Sequence, residues 1–259
     1  MKALMDKHFY LFFSYLKAYL KYPISVFFKL IELPIQMFLY IFLWYFISLQ
    51  SNLDYEYMVL YYLVTGLLTL AYSFVHISAD IEDDILGGRI FNCLIRPYRY
   101  ITPLISKYLA AMAVYSLVFI PVILLILLWG KSSCSSILFF ILCSITGMLV
   151  EFFIWYTIGL LALYIDKIRG LIRIIAALRV IVSGSLVPLS MLPKALYNLF
   201  MILPFQCYIY TPVSVLTNPF SINENMRFLT INVIWLVTLI IISHYVFMFG
   251  LRKLKSSMS

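Results

Sequence analysis

The chain has 259 residues, of which 64% are hydrophobic and only 12% are charged, and its mean hydropathy is +1.01. Because a soluble domain carries about 25% charged residues, this composition excludes a soluble globular fold and favours a protein whose solvent is largely lipid. The net charge of +8 would suit nucleic acid if it formed one patch, but the basic residues are spread over several connections, which argues against that partner.

The N-terminal segment, residues 1–22, places Lys2, Lys7, Lys17 and Lys21 within one arc of a helix. Apolar residues such as Phe12 fall on the opposite side. This pattern predicts an amphipathic helix that lies in the membrane interface. The alternative is a basic flank to the first membrane span with no interfacial role.

Six long apolar stretches follow, and each is long enough for about 20 helical residues to cross a hydrocarbon core of ~30 Å. Unpaired backbone amides are costly in lipid, so all six are expected to be helices. The sequence therefore predicts an all-α, polytopic membrane protein, formed by a single transmembrane domain over residues 1–259. The predicted spans are residues 23–49, 58–79, 103–129, 137–164, 174–192 and 228–250.

The orientation of these spans follows from the basic residues in the connections. Of the 19 Lys and Arg residues, 14 lie on one set of faces, two lie inside spans, and only Lys131, Lys194 and Arg227 lie on the other. Positively charged connections favour the cytoplasm, so both termini are predicted to be cytoplasmic.

The connection at residues 80–102 is the most charged one. Asp80, Glu82, Asp83 and Asp84 end the second span, and Gly87-Gly88 should break its helix. Residues 89–95 are expected to form one or two helical turns with Ile90, Leu94 and Phe91 on one face. Pro97 should stop them, because the residue before proline disfavours the α conformation. A short amphipathic helix between two breaks suits docking onto a cytoplasmic partner.

Three charged residues inside the spans are candidates for function, because such charges are expensive in lipid. Glu32 and Arg179 are predicted at similar depths, about 12 Å from the cytoplasmic boundary by helical rise, so they could pair. Glu151 lies near the middle of the fourth span and would need a buried partner. The alternative is that these residues hold helices together without a role in transport.

The segment at residues 188–225, after the fifth span, is rich in proline. Its stretch 194–203 is apolar but too short to span, so it predicts an external, re-entrant helical hairpin. Cys134 and Cys207 could pair on that side, and free thiols are the alternative. The three histidines are scattered and no carboxylates cluster beside them, so the sequence predicts no catalytic, metal or cofactor site.

Two regions carry a resemblance to a known family. One is the run from Gly88 to Pro97, and the other joins residues 183–189 to Pro193, Leu203-Pro204-Phe205 and Pro212. Together with the six-span layout, they resemble the permease subunits of type-two ATP-binding-cassette exporters, particularly a bacterial six-span branch. The acidic residues before Gly88 depart from that pattern.

The resemblance implies that the chain is half of a translocation pathway in a bacterial cytoplasmic membrane. It implies a second permease subunit, identical or paralogous, and a separate ATPase that binds ATP and magnesium, with membrane lipids around them. The connection would be the coupling helix, through Gly88, Arg89, Ile90, Phe91, Leu94, Arg96 and Pro97.

Three alternatives remain at this stage. They are a secondary transporter or channel component, a membrane-embedded enzyme that modifies lipids, and a membrane protein that only binds a partner.

Overall fold

The computed structural model describes residues 2–21, 23–50, 54–72, 74–91, 100–129, 134–218 and 221–258, some of them by backbone alone. Throughout these ranges the chain forms helices and turns, and no strand occurs, so the all-α prediction is confirmed. The α-helices are α1 (Lys2–Lys21), α2 (Pro23–Gln50), α3 (Tyr55–Ala71), α4 (His76–Leu86), α5 (Ile101–Trp129), α6 (Cys134–Leu160), α7 (Arg169–Val182), α8 (Lys194–Ile202), α9 (Tyr210–Thr217) and α10 (Ile222–Met258).

The helices pack as two compact units, each made from two pieces of the chain. One comprises Met1–Tyr72 with Phe91–Lys131, and the other comprises Ser73–Ile90 with Ser132–Ser259. The single permease domain over residues 1–259 therefore stays a prediction.

The first unit contains α1, α2, α3 and α5. Asp54 caps α3, since its carboxylate accepts the backbone N–H groups of Glu56 and Tyr57 at 3.0 and 3.3 Å. Aromatic stacking joins α2 to α3, with the ring of Tyr62 4.8 Å from that of Tyr40 and 6.0 Å from that of Trp44. The N-terminal segment is helical and packs along α5. Its interfacial position stays a prediction.

The second unit is built around α6, against which α4, α9 and α10 pack. Gly159 allows α4 to approach closely, because a Cβ there would lie 2.8 Å from the side chain of Ile81. Ser78 adds a hydrogen bond to the carbonyl of Trp155 at 2.6 Å. Small residues at a contact with a buried hydroxyl bond are typical of helix packing in membranes.

Within the described ranges, three helical stretches are long and apolar enough to cross a membrane, and they correspond to the second, fourth and sixth predicted spans. They are Tyr55–Leu86, Ser135–Leu163 and Ile222–Lys253, and shorter apolar helices occupy Pro34–Leu49 and Ile101–Tyr115 in the first and third. The stretch Tyr55–Leu86, in the second predicted span, is interrupted, because α3 ends at Ala71 and α4 begins at His76. These helices indicate a multi-pass membrane protein. The number of six spans and the cytoplasmic placement of both termini stay predictions.

The fifth predicted span, residues 174–192, is wrong as a continuous helix. Helix α7 ends at Val182 after 14 residues, which is about 21 Å and too short to cross the hydrocarbon core. Gly184 ends it with φ 82°, a conformation that glycine adopts without strain. Ser185 reinforces the stop, because its hydroxyl donates to the carbonyl of Val180 at 2.9 Å. The apolar residues after Gly184 hid this stop from a hydropathy argument.

The described residues between α7 and α10 include two short α-helices of opposite character. In α8, which was expected from the apolar stretch at 194–203, no residue is buried. In α9, every residue from Tyr210 to Leu216 is buried, and the helix packs against α6. Two helices thus stand where the hairpin was predicted, but its external, re-entrant placement stays a prediction.

Candidate functional site

A buried ion pair joins α6 to α7. The Oε1 atom of Glu151 lies 2.6 Å from Nη2 of Arg179, and Glu151 is fully buried. Both residues were predicted to be intramembrane charges, but their predicted depths favoured Glu32 as the partner of Arg179. The structure shows Glu151 as the carboxylate partner of Arg179. The side chain of Glu32, in α2, lies outside the described residues, and its pairing stays a prediction.

Two aromatic side chains, Trp155 and Tyr208, bind this ion pair. We call these four residues the ion-pair network. Trp155, one helical turn after Glu151, donates its indole N–H to Oε1 at 3.3 Å. Arg179 donates from Nε to the hydroxyl of Tyr208 at 2.7 Å, and its guanidinium carbon lies 4.9 Å from the Tyr208 ring centre. The second carboxylate oxygen, Oε2 of Glu151, is buried without a hydrogen-bond partner in the part of the chain that is described. The arrangement can hold α6, α7 and the α8–α9 connection together.

Tyr208 is held in place by close backbone packing. A Cβ on Gly147 of α6 would lie 2.8 Å from the Tyr208 Cα atom, and closer still to the carbonyl of Cys207. Asn232 of α10 donates to that carbonyl at 3.1 Å. Only glycine at position 147 therefore lets the connection lie against α6, and neither contact was apparent from the sequence.

A second polar cluster joins the acidic end of α4 to the start of α7. Glu82, 1% exposed, accepts the backbone N–H of Ile168 at 3.0 Å. It therefore occupies the N-terminus of α7, where the helix dipole favours a carboxylate. Arg169 lies 3.4 Å from Glu82 and donates to Asp83 at 2.7 Å. That hydrogen bond, with the charges of Asp83 and Glu82, raises the pKa of the Arg169 guanidinium, so it stays cationic.

The sequence predicted the four acids at the end of the second span but indicated no partner for them. The hydrogen-bonded partners Glu82 and Ile168 are 86 residues apart. The only hint available was that the basic connection containing Arg169 was assigned to the same side of the membrane.

The break after α4 lies where Gly87-Gly88 predicted it. Helix α4 ends at Leu86, and Gly88 has φ 68°, in the left-handed region that favours glycine. The chain is helical again at residues 89–91. The guanidinium of Arg89 binds Asp84 at 2.8 Å, and this pair bridges the break.

The proposed docking face is described only in part. Phe91 is half-buried. Ile90 is 1% exposed in the chain by itself, and its role in docking stays a prediction. Leu94, Arg96 and Pro97 lie outside the described residues, and their roles stay predictions.

The described residues contain no group of three or more His, Cys, Asp or Glu side chains arranged to hold a metal ion. Cys207 is a buried free thiol, which agrees with the free-thiol alternative for that residue. Cys134 begins α6, and its side chain lies outside the described part.

The comparisons with known proteins identify the family. A family model described as an ABC-2 family transporter protein matches residues 30–258, which includes the ion pair, the acidic cluster and the break at Gly88. No curated protein matches the chain. Because the match covers most of the chain, and because apolar helices of spanning length lie within it, the chain is a multi-pass membrane protein that belongs to the ABC-2 family, as the permease of an ATP-binding-cassette transporter.

Proposed function

We propose that this permease forms half of the translocation pathway of an exporter and is driven by a separate ATPase subunit that docks on residues 88–97. A second permease, identical or paralogous, completes the pathway. ATP and magnesium bind the ATPase. The assembly belongs in a bacterial cytoplasmic membrane, with both permease termini in the cytoplasm, as the distribution of basic residues favours.

The observation that carries this proposal is the polar connection between the break at Gly88 and helix α7. The break directly follows α4, whose acidic end binds the start of α7 through Glu82 and Arg169. A segment fixed in this way can move α4 and α7 together, since their ends share a buried carboxylate.

Helix α7 extends the connection towards the middle of the bundle. From Arg169 to Arg179 the helix rises by about 15 Å, and Arg179 is bound to Glu151 of α6. A displacement at the ATPase would thus reach α6 through two polar contacts and one short helix. Rigid-body movement of packed helices is a common form of such a transition.

The docking part of the proposal is tested by replacing Phe91 with alanine. Because apolar and aromatic anchors contribute most of an interface, often about 2 kcal/mol or more each, the tagged permease should retain much less of the ATPase. The ATPase bound per permease is measured after mild detergent extraction from cells that contain the whole transporter. Replacement of Ile165, an exposed apolar residue between α6 and α7, is the matched control. Equal retention by the two variants would contradict docking at Phe91.

The transmission part is tested by Arg169→Gln, which removes the ion pairs to Glu82 and Asp83. Arg169 is largely exposed, with 60% of its side chain accessible, so its loss should change stability by less than about 1 kcal/mol. We expect the ATPase to remain bound, while transport and substrate-stimulated ATP hydrolysis fall. Arg173, one turn further along α7, makes no ion pair within the described residues, so Arg173→Gln is the control.

Equal transport and equal substrate-stimulated ATP hydrolysis by Arg169→Gln and Arg173→Gln would contradict this role. The cluster of Glu82, Asp83 and Arg169 would then not transmit movement from the ATPase. Substrate transport by the wild-type permease with no nucleotide present would instead support the secondary-transporter alternative.

A further inference from the structure

A groove lies between α8 and the first turns of α10, apart from both polar clusters. Its volume is about 660 Å3, within the range of about 300–1,000 Å3 that is usual for ligand pockets. Nothing in the ion-pair network or in the coupling segment uses it. It lies beside the N-terminal turns of α10, whereas Arg252 and Lys253 lie near the other end of that helix. By helical rise, Arg227 in the groove is about 37 Å from Arg252.

The groove has charges at one end and apolar side chains at the other. Glu224 and Arg227, in the first turns of α10, line the charged end. Ile231 follows one turn later, and Trp235 another turn beyond it. The indole N–H of Trp235 donates to the carbonyl of Ile202 at 3.1 Å, which ties the end of α8 to α10 there. The groove therefore changes from polar to apolar over about 12 Å along a membrane-spanning helix.

The two charges differ in their partners within the chain. Ser221 donates its backbone N–H and its hydroxyl to Oε2 of Glu224, both at 2.9 Å. A carboxylate has about four acceptor positions, so it keeps capacity for a further donor. Arg227 is exposed and makes no ion pair within the described part of the chain. A guanidinium with free donors suits the paired oxygens of a phosphate.

From this gradient we infer that the groove binds a zwitterionic phospholipid of the type of phosphatidylethanolamine. The phosphodiester lies at Arg227, and the ammonium group lies at the Glu224 carboxylate. One acyl chain follows Ile231 towards Trp235, along α10. Charge complementarity at the mouth selects the headgroup, and the apolar wall selects a membrane lipid over a soluble phosphate compound.

Lipid titration of the purified, delipidated permease tests this inference. Dioleoylphosphatidylethanolamine is added, and bound lipid is counted by native mass spectrometry. Arg227→Gln should weaken the first binding event about tenfold, as expected for loss of a charged hydrogen-bond donor. Ile231→Trp, which fills the groove but keeps both charges, should weaken it similarly. Lys194→Gln removes an exposed cation at the start of α8 that does not line the groove, and it should bind as the wild type does.

Three results would overturn the inference. If the wild type, Arg227→Gln and Lys194→Gln bind dioleoylphosphatidylethanolamine with equal affinity, the lipid surrounds the protein nonspecifically and does not occupy the groove. Equally tight binding of dioleoylphosphatidylglycerol would exclude recognition of the ammonium group. Displacement by soluble glycerophosphoethanolamine at the same concentration would show that the headgroup alone is bound. If Ile231→Trp fails to fold, Arg227→Gln with its control still decides the question. The test needs no ATPase, so its failure is distinguishable from failure of the proposed function.

Discussion

Glu151→Gln should lower the free energy of unfolding by about 3–5 kcal/mol, because it leaves the Arg179 guanidinium buried beside a neutral amide. The double variant Glu151→Gln, Arg179→Gln should lose much less, since no unpaired charge remains. The pair contributes little net stability compared with two neutral groups, while the loss of one partner is costly.

The interaction free energy between Glu151 and Arg179 is measured by thermal unfolding in detergent. The wild type, the two single variants and the double variant form a double-mutant cycle. Glu56→Gln, at an exposed position in the first turn of α3, is the control for loss of a carboxylate charge. Losses that simply add in the double variant would show that Glu151 and Arg179 do not interact.

Gly147→Ala should also destabilise the permease, although alanine is the better helix former by about 1 kcal/mol. The added Cβ would approach the Tyr208 Cα atom to 2.8 Å, and backbone cannot move aside as a flexible side chain can. Overpacking of this kind costs about 1–3 kcal/mol or more. It should also move Tyr208 away from Arg179 and weaken the ion-pair network.

Gly170→Ala provides a matched control, because a Cβ at that helical position meets no atom within 4 Å among the described residues. We expect its unfolding temperature to stay the same or rise slightly, while that of Gly147→Ala falls. Similar temperatures for the two variants would mean that the connection does not lie against α6 as described.

The sequence was most informative where a single property decides the structure. Long apolar runs predicted the positions of α2, α5, α6 and the membrane part of α10, because burial in lipid requires them. Glycine chemistry likewise predicted the break at Gly88. The fifth span failed because hydropathy is an average, and Ser183-Gly184-Ser185 stops a helix without lowering that average much.

Partners within the bundle were harder to predict than helices. Helical rise gives the depth of a charge but not the direction in which it points, so depth alone favoured Glu32 for Arg179. Tyr208 and Asn232 carry no charge and gave no signal at all. Glu82 and Arg169 were assigned to the same side of the membrane, but their pairing depends on how α4 and α7 pack, which no local pattern encodes.

The early end of α7 affects how the bundle can bend. The backbone N–H of Tyr210, the first residue of α9, donates to the carbonyl of Ser183 at 3.1 Å, so the end of α7 meets the start of another helix. An unbroken helix of spanning length resists bending, because its hydrogen bonds act together. A junction made from two helix ends can pivot when one hydrogen bond, worth about 1 kcal/mol, is exchanged for another. Inside the unit that holds the buried charges, bending at this junction would therefore cost less free energy than bending a continuous helix.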